Sequence, residues 1–152
     1  MASDRSPTTY ISRSVDDTVK IGLEIGRSLT PGSIVALDGP LGSGKTVLAK
    51  GIGKALDVRE EITSPTFIII SSYCGRLDLN HIDLYRINTA EELEQLGIED
   101  VLWGGGVSVI EWAEKATEVL PDDTLWVRVQ MHSDFSRTIR LSRNLKHEHT
   151  RH

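Results

Sequence analysis

A glycine-rich segment of the chain has the residue types and spacing of a phosphate-binding loop. Residues 39–46 read G-P-L-G-S-G-K-T and fit G-x-x-x-x-G-K-[ST] at every fixed position. In this pattern the glycines let consecutive backbone N–H groups point at a phosphate, the lysine reaches the β- and γ-phosphates, and the hydroxyl ligates Mg²⁺. We expect Lys45 and Thr46 to have these roles, and we expect the nucleotide to be bound also by Gly39, Leu41, Gly42, Ser43, Gly44 and Val47.

Two carboxylates are candidates for the metal and water chemistry that a phosphate loop cannot perform alone. Asp83 and Glu111 each follow an apolar, strand-like segment, and Mg-dependent phosphate transfer needs acids beside the loop. Each of them, taken alone, is equally compatible with capping a helix or pairing with a neighbour. His81 and Arg86 flank Asp83 and are as compatible with surface pairing as with a role in the site.

Two further positions are weaker candidates. Trp112 follows Glu111 and is placed to stack on a base or face a partner, with packing in the core as the alternative. Ser64-Pro65-Thr66-Phe67 comes about 20 residues after the loop, where a threonine hydroxyl would sense the γ-phosphate or a metal-bound water. A simple turn before a strand explains Thr66 equally well. Asp38, directly before the loop, is expected to be structural.

The elements around these residues predict a three-layer α/β domain with a mixed, partly antiparallel sheet, of the kind found in P-loop nucleotide-binding proteins. A strand over 33–38 precedes the loop, and a helix over 45–56 follows it. Residues 66–73 and 77–84 form a predicted hairpin, and Thr89 opens a helix as the first residue of a capping box. A first helix is predicted to begin at Ser14, with its apolar face formed by Val15, Val19, Leu23, Ile25 and Leu29. Further strands are expected at 8–12, 107–110, 125–130 and 138–141, and further helical segments at 98–103 and 114–120.

Length and composition limit what is attached to this domain. The 152 residues, of which 39% are hydrophobic and 26% charged, suffice for one core, so we expect a single domain over 1–143. No segment has the length and apolarity of a membrane span or of a signal peptide, which predicts a cytoplasmic protein without a membrane partner. Cys74 is the one cysteine and is expected to be partly buried. Residues 144–152 are expected to be a basic, frayed tail, with contact to RNA or an acidic protein as the alternative.

Four segments in this order resemble the TsaE family. They are the phosphate loop, Ser64-Pro65-Thr66-Phe67, the run from His81 to Arg86 (H-I-D-L-Y-R), and Glu111-Trp112. The run E-E-L-E-Q-L-G-I over 91–98 is similar to a further segment of that family, so that the resemblance extends from about residue 10 to residue 130. Phosphate loops occur in many families, whereas the combination of the other three segments is specific.

The resemblance implies an ATPase, weak when isolated, of the machinery that makes threonylcarbamoyladenosine in tRNA. ATP or ADP and Mg²⁺ would be its cofactors. Its partners would be the TsaD and TsaB subunits, with TsaD performing the carbamoyl transfer and tRNA reached indirectly through the complex. By position, Thr46, Asp83 and Glu111 would hold Mg²⁺, Asp83 and Glu111 would also order the attacking water, Thr66 would be a switch, and Trp112 would lie beside the nucleotide.

The chain departs from the family pattern in two places, and two other functions compete. Family members often have an acid where this chain has Pro40 and a second threonine where it has Val47, which removes a hydroxyl near the α-phosphate. A small-molecule kinase would usually carry a lid with arginines, yet Arg59, Arg76 and Arg86 are scattered. A non-enzymatic scaffold that changes partner affinity with bound nucleotide would have the same sequence features.

Overall fold

The computed structural model describes residues 8–63 and 69–143, and within them seven strands form one mixed sheet. The strands are β1 (Thr8–Ser12), β2 (Ile34–Asp38), β3 (Ile70–Tyr73), β4 (Leu79–Asp83), β5 (Val107–Glu111), β6 (Leu125–Met131) and β7 (Arg137–Ser142). Their order across the sheet is β1-β7-β6-β2-β5-β4-β3. The four inner strands β6, β2, β5 and β4 are mutually parallel, and the antiparallel pairs lie at the two sides. The predicted mixed sheet and the β3–β4 hairpin are confirmed.

Helices cover both faces of this sheet. Along the chain they are α1 (Val15–Arg27), α2 (Lys45–Ala55), α3 (Ala90–Gln95), α4 (Ile98–Leu102) and a 3₁₀ helix at Ala113–Ala116. Ser14 begins α1 by accepting a hydrogen bond from the backbone N–H of Asp17 at 3.0 Å, and Thr89 caps α3 in the same way through the N–H of Glu92 at 3.1 Å. Side-chain caps of this kind supply partners for the unpaired amides of a helix start, so both predicted starts are confirmed.

Two apolar clusters lie on opposite faces of the sheet. On the first face, α1 and α2 pack over Val35, Leu37, Val109 and Val127. On the second face, α3, α4 and the 3₁₀ helix cover a cluster that includes Ala36, Ile82, Ile110 and the fully buried Trp126. Because side chains alternate across a strand, β2 and β5 contribute to both clusters. The sheet is therefore the middle of three layers, as predicted.

Helices α1 and α2 approach each other closely. A Cβ on Gly22 would lie 2.5 Å from the carbonyl oxygen of Leu48, and a Cβ on Gly51 would overlap the carbonyl oxygen of Val19. Because glycine has no side chain, the two backbones can touch there. The prediction that Val15 belongs to the apolar face of α1 is wrong, since 62% of Val15 is exposed. The buried face of α1 instead follows Thr18, Ile21, Gly22, Ile25 and Gly26.

Three smaller findings complete the comparison with the sequence-based expectations. The segment predicted as a helix over 114–120 is the short 3₁₀ helix, which ends at Ala116. Cys74 is exposed in the turn between β3 and β4, so the expectation of a partly buried thiol is wrong. Among residues 8–63 and 69–143, no helix is both long and apolar enough to cross a bilayer.

Candidate active site

Parallel pairing brings the candidate residues to one edge of the sheet. Asp38, Asp83 and Glu111 end β2, β4 and β5, and the register places Asp83 opposite Glu111 and Glu111 opposite Leu37. The phosphate loop (residues 39–46) leaves β2 at the same edge and leads into α2. In α/β sheets ligands bind outside the carboxyl ends of the strands, so the predicted residues meet where such a site is expected.

The phosphate loop has the backbone conformation that its glycines were expected to provide. Gly42 and Gly44 have φ values of +78° and +103°, a region that other residues rarely adopt. Ser43 is fully buried, and its Oγ has no hydrogen-bond partner among the described residues. An unpaired buried hydroxyl within a loop that ends at a helix start is a feature that fits a bound phosphate oxygen.

Lys45, the first residue of α2, is buried against two groups. Its Nζ donates a hydrogen bond to the carbonyl oxygen of Gly39 at 2.7 Å and lies 3.5 Å from the centre of the Trp112 ring, close enough for a cation–π interaction. Burial lowers the pKa of Lys45, and the carboxylates of Glu114, Glu111, Asp83 and Asp38 oppose that decrease. The ammonium group of Lys45 is therefore influenced by all four carboxylates at this edge of the sheet.

Thr46, Glu111 and His81 form a connected chain of side chains. Thr46 Oγ1 donates to the Glu111 carboxylate, with oxygen–oxygen distances of 3.0 and 3.2 Å. His81 Nε2 lies 2.5 Å from Glu111 Oε2, and both residues are buried. Since a carboxylate only accepts, Nε2–H of His81 must be the donor. Nδ1 of His81 is buried with no hydrogen-bond partner in the described residues. Among these residues the imidazole therefore hydrogen-bonds only to Glu111.

Asp83 lies beside Glu111 and also shapes the loop that follows β4. Its Oδ1 accepts a hydrogen bond from the backbone N–H of Tyr85 at 2.9 Å, a turn that aspartate commonly makes. The half-buried Asp83 is one of the acids whose charge acts on Lys45. Asp83 therefore combines a local structural bond with a position at the phosphate edge.

The backbone at Trp112 is strained, and its ring is enclosed by neighbours. Trp112 has a φ of +58°, a conformation that costs a non-glycine residue about 1 to 3 kcal/mol. The Tyr85 ring packs against its ring with centroids 5.1 Å apart. Lys115 donates to the carbonyl oxygens of Tyr85 and Ile87 at 2.6 and 2.9 Å. Lys115 thus joins the loop after Asp83 to the 3₁₀ helix after Glu111, and so fixes the two acidic strand ends to each other.

A second acidic pair stands behind the lysine. Burial raises the pKa of Glu114 from 4.5 to about 7, and a hydrogen bond and the charge of Asp38 add to that increase, whereas Lys45 opposes it. Asp38 also accepts from Arg128 Nε at 3.3 Å. Asp38 is held by Glu114 and Arg128, which agrees with its expected structural role.

The assembled residues fit a nucleotide phosphate with Mg²⁺ better than an ion held by protein alone. Among the described residues, no group of three or more His, Cys, Asp or Glu is arranged to hold a metal. Mg²⁺ commonly uses one or two carboxylates together with substrate phosphates and waters. The hydroxyl of Thr46 against the Glu111 carboxylate, with Asp83 alongside, supplies the protein's part of such a set.

Most of the site residues predicted from sequence are brought together, and three positions differ from the others. Thr66 falls outside the described residues, so its switch role stays a prediction. Leu41 is 74% exposed at the outside of the loop, and Val47 is half-buried on the first turn of α2. Trp112 contacts Lys45 of the phosphate loop, and its place beside a nucleotide stays a prediction.

Three residues of this edge have positions that the sequence pattern does not predict. The sequence is as compatible with surface pairing of His81 as with a role in the site, yet His81 is fully buried on Glu111. For Glu114 the sequence predicts only a place in a helix. Arg137 enters from β7, and a Cβ on Gly44 would lie 3.5 Å from its Nε, which is buried and has no partner in the described part of the chain. The position of His81 two residues before Asp83 on one strand was the available signal, because such residues share a face.

Comparison with known proteins gives a consistent family. The family model described as "Threonylcarbamoyl adenosine biosynthesis protein TsaE" matches residues 12–139. The "tRNA threonylcarbamoyladenosine biosynthesis protein TsaE" of Treponema pallidum is 42% identical over 129 residues, which is 85% of this chain and 96% of the relative. The protein of the same name from Bacillus subtilis is 39% identical over 110 residues, 72% of this chain and 68% of the relative.

A solved structure supports the same relationship. The crystal structure of YdiB from Bacillus subtilis superposes with a TM-score of 0.76 at 28% sequence identity, covering 97% of this chain and 96% of that one. The likeness therefore includes the whole sheet and both helical layers.

Proposed function

Because this chain belongs to the TsaE family, we propose that it acts in tRNA threonylcarbamoyladenosine biosynthesis, as the subunit whose Mg-dependent ATP hydrolysis drives turnover of the modifying complex. The two relatives described above are named for that pathway, and this chain matches 96% and 68% of their lengths. The proposed reaction is transfer of the γ-phosphoryl group of ATP to water. The proposed cofactors are ATP, its product ADP, and Mg²⁺.

The observation that carries the proposal is the contact of Thr46 with Glu111. The hydroxyl that begins the helix of a phosphate loop donates to an acid at the end of the adjacent parallel strand, which is the arrangement that positions Mg²⁺ in P-loop nucleotide hydrolases. Bound Mg²⁺ would neutralise charge on the β- and γ-phosphate oxygens. Thr46, Glu111 and Asp83 are the residues proposed to hold it.

The remaining residues act on the phosphate, the water and each other. The loop amides and Lys45 bind phosphate oxygens, for which Lys45 must leave the carbonyl oxygen of Gly39. Glu111 and Asp83 order the attacking water in the proposed mechanism. His81 keeps the Glu111 carboxylate turned toward Thr46 by donating to one of its oxygens. The Trp112 ring lies 3.5 Å from Lys45 Nζ, and this closeness supports a place for Trp112 beside the nucleotide.

We also propose that hydrolysis becomes useful only in a complex with TsaD and TsaB. In this scheme the γ-phosphate orders the segment containing Thr66, hydrolysis releases it, and the difference in partner affinity between the two states drives the cycle. tRNA is reached indirectly, through the partners. We expect weak hydrolysis by the isolated chain and stimulation on adding both subunits.

Charge-removing variants test the assignment. Asp83→Asn and Glu111→Gln keep size and hydrogen-bonding capacity but remove the negative charge, so ATP binding should survive while partner-stimulated hydrolysis falls by about 100-fold or more. Binding is measured by titration calorimetry and hydrolysis by phosphate release. Asp78→Asn, at an exposed aspartate in the β3–β4 turn, is the matched control. Normal stimulated hydrolysis in both site variants would reject the assignment.

Reconstitution tests the biological step and separates an ATPase from a nucleotide-gated scaffold. With TsaD, TsaB, tRNA and the activated carbamoyl donor present, we expect a single round of modification without this chain and repeated rounds with it. A scaffold would support repeated rounds with a non-hydrolysable ATP analogue, whereas the proposed ATPase would not. Repeated rounds in the complete absence of this chain would contradict the proposal.

A further inference from the structure

An open groove lies on the second face of the molecule, behind the phosphate site. It has a volume of about 990 Å³ and runs between α3, α4 and the 3₁₀ helix. Its floor includes the buried apolar side chains of Leu93, Ile98 and Ala116. Asn88 and Val119 are among the residues that line its walls. A concave surface with an apolar floor between helices is a common place for a bound peptide segment or ligand.

The rim of this groove is strongly acidic. One lysine and five acids line it, and the acids are Glu94, Glu99, Asp100, Glu114 and Glu118. The lysine, Lys115, already donates to two backbone carbonyl oxygens, so its ammonium is committed within the chain. The groove therefore offers negative charge around an apolar floor, which complements a segment with lysine or arginine side chains and repels the phosphates of RNA.

One of these acids also belongs to the phosphate site. Glu114 lines the groove, shares a hydrogen bond with Asp38, and is the acid with the largest effect on Lys45. Its Oε2 is buried and has no hydrogen-bond partner among the described residues. The 3₁₀ helix that carries Glu114 begins directly after Trp112, so one wall of the groove is the back of the phosphate site.

We propose that this groove is the docking surface for a basic, partly apolar segment of a partner protein. The inference rests on the proposed function, and it adds the chemistry of the partner segment and the place where that segment docks.

Charge reversal tests the groove. In Glu94→Lys/Glu118→Lys two exposed rim acids become cations, and neither belongs to the phosphate site. Glu60→Lys/Glu61→Lys makes the same change in net charge in the exposed segment after α2, on the other face, and is the control. We expect the groove variant to lose about 10-fold or more in affinity for TsaD–TsaB and most of the stimulation, with ATP affinity and basal hydrolysis unchanged. Circular dichroism checks that both variants are folded.

Cross-linking identifies the occupant. A photoreactive benzoylphenylalanine at Asn88, an exposed position of the groove, is irradiated in the complex of this chain with TsaD and TsaB. The inference requires a cross-linked peptide rich in lysine or arginine, and the same probe at Arg59 on the other face should not capture it. A cross-link to a second copy of this chain, to RNA or to an acidic segment, or a complex without a cross-link, overturns the docking inference.

The measurements separate this inference from the proposed function. If the wild-type chain hydrolyses ATP but binds neither subunit, the docking inference and the proposed complex with TsaD and TsaB both fail, and only the proposed ATP hydrolysis stands. If the chain binds the subunits through the groove but hydrolyses no ATP, the docking surface stands and the ATPase proposal fails. Wild-type partner affinity in the groove variant overturns the docking inference whatever its hydrolysis rate.

Discussion

At the residue scale, Lys45 is engaged by groups that a nucleotide would have to displace under the proposed function. Its ammonium donates to the Gly39 carbonyl oxygen and faces the Trp112 ring, and four acids act on it. These contacts keep the buried ammonium group of Lys45 paired while its side chain lies beside the backbone amides of the phosphate loop. Under the proposed function, Lys45 would exchange these partners for phosphate oxygens when ATP binds.

Lys45→Ala should therefore reduce ATP affinity far more than it reduces stability. A charged hydrogen bond to phosphate is worth about 1.5 to 3 kcal/mol, or about 10- to 100-fold in affinity. Lys45 is not a member of either apolar cluster, so its replacement removes no side chain from them. Calorimetric titration with MgATP and urea unfolding measure the two quantities, and Lys54→Ala on the exposed end of α2 is the control. A folded Lys45→Ala protein with wild-type affinity and turnover would show that the phosphate site lies elsewhere.

Glu114 gives the site a pH-dependent contribution to stability. Its pKa in the folded chain is raised from 4.5 to about 7, so between these values the folded state holds a proton that the unfolded state has released. The contribution is then complete below about pH 4.5 and is lost as the pH rises through about 7. Ordinary ion-paired acids have a lowered pKa and lose their contribution to stability as the pH falls, whereas Glu114 loses its contribution as the pH rises.

Glu114→Gln should flatten this part of the stability curve. The amide cannot ionise, so the variant should lose less stability than the wild type between pH 5 and pH 7.5, about the range in which Glu114 titrates. Urea unfolding at a series of pH values measures this difference. Glu60→Gln, at an exposed acid, should follow the wild-type curve. Parallel curves for wild type and Glu114→Gln would contradict the raised pKa.

Some of these residues could be predicted from the chain and others could not, for a physical reason. Lys45 and Thr46 are recognisable because the fixed spacing of the phosphate loop carries their chemistry, whereas Glu111 is recognisable only as an acid that ends an apolar, strand-like segment. His81 and Glu114 depend on strand register and on which helix covers which face, and these are settled by contacts between distant parts of the chain. Sequence alternation in β4 shows that His81 and Asp83 share a face but does not show that α2 buries that face.

At the scale of the elements, the close packing of α1 on α2 holds the start of the phosphate-binding helix. Gly22 and Gly51 occupy positions where the two backbones touch. The buried face of α1 includes Gly22 and Gly26 and leaves Val15 exposed. Small residues on this face let the axes of α1 and α2 come closer than branched side chains would allow. Hydrophobic periodicity alone gives no weight to such glycines.

Gly51→Ala should destabilise the domain despite the better helix propensity of alanine. The added methyl group would overlap the Val19 carbonyl oxygen, and overpacking costs about 1 to 3 kcal/mol, whereas the propensity gain is about 1 kcal/mol. We expect a net loss of up to about 2 kcal/mol in the free energy of unfolding, measured by chemical denaturation. Lys54→Ala in the same helix should be near neutral. An increase in stability for Gly51→Ala would show that the helices can separate without cost.

At the scale of the whole molecule, one sheet joins the phosphate site to both helical layers. The loop begins at β2, the strand between β5 and β6, and β2 contributes side chains to both apolar clusters. A ligand bound at the end of such a strand would therefore lie next to the element that both apolar clusters share. The three-layer architecture was predictable because turn residues, apolar strands and helix caps agreed locally, whereas the strand order and the groove depended on packing.

Saturating MgATP should therefore raise the stability of the domain as one unit. At 100 times the dissociation constant, a ligand that binds only the folded state adds about 2.7 kcal/mol, which corresponds to a rise of about 5 to 10 °C in melting temperature for a domain of this size. Differential scanning fluorimetry with and without MgATP measures the shift. The Lys45→Ala variant should show a much smaller one, and equal shifts in both proteins would indicate binding outside the phosphate loop.

The exposed turn at Cys74 has a practical consequence. β4 begins near this turn and ends at Asp83, so the turn and the phosphate loop lie at opposite ends of the strands. The thiol is the one cysteine of the chain and is exposed. A maleimide dye or biotin attached there labels the protein at a single defined point, without mutagenesis and a full strand length from the nucleotide edge. Tethered through this sulfur, individual molecules would present the edge that carries the phosphate loop to the solution, where association with the proposed partners can be followed one complex at a time.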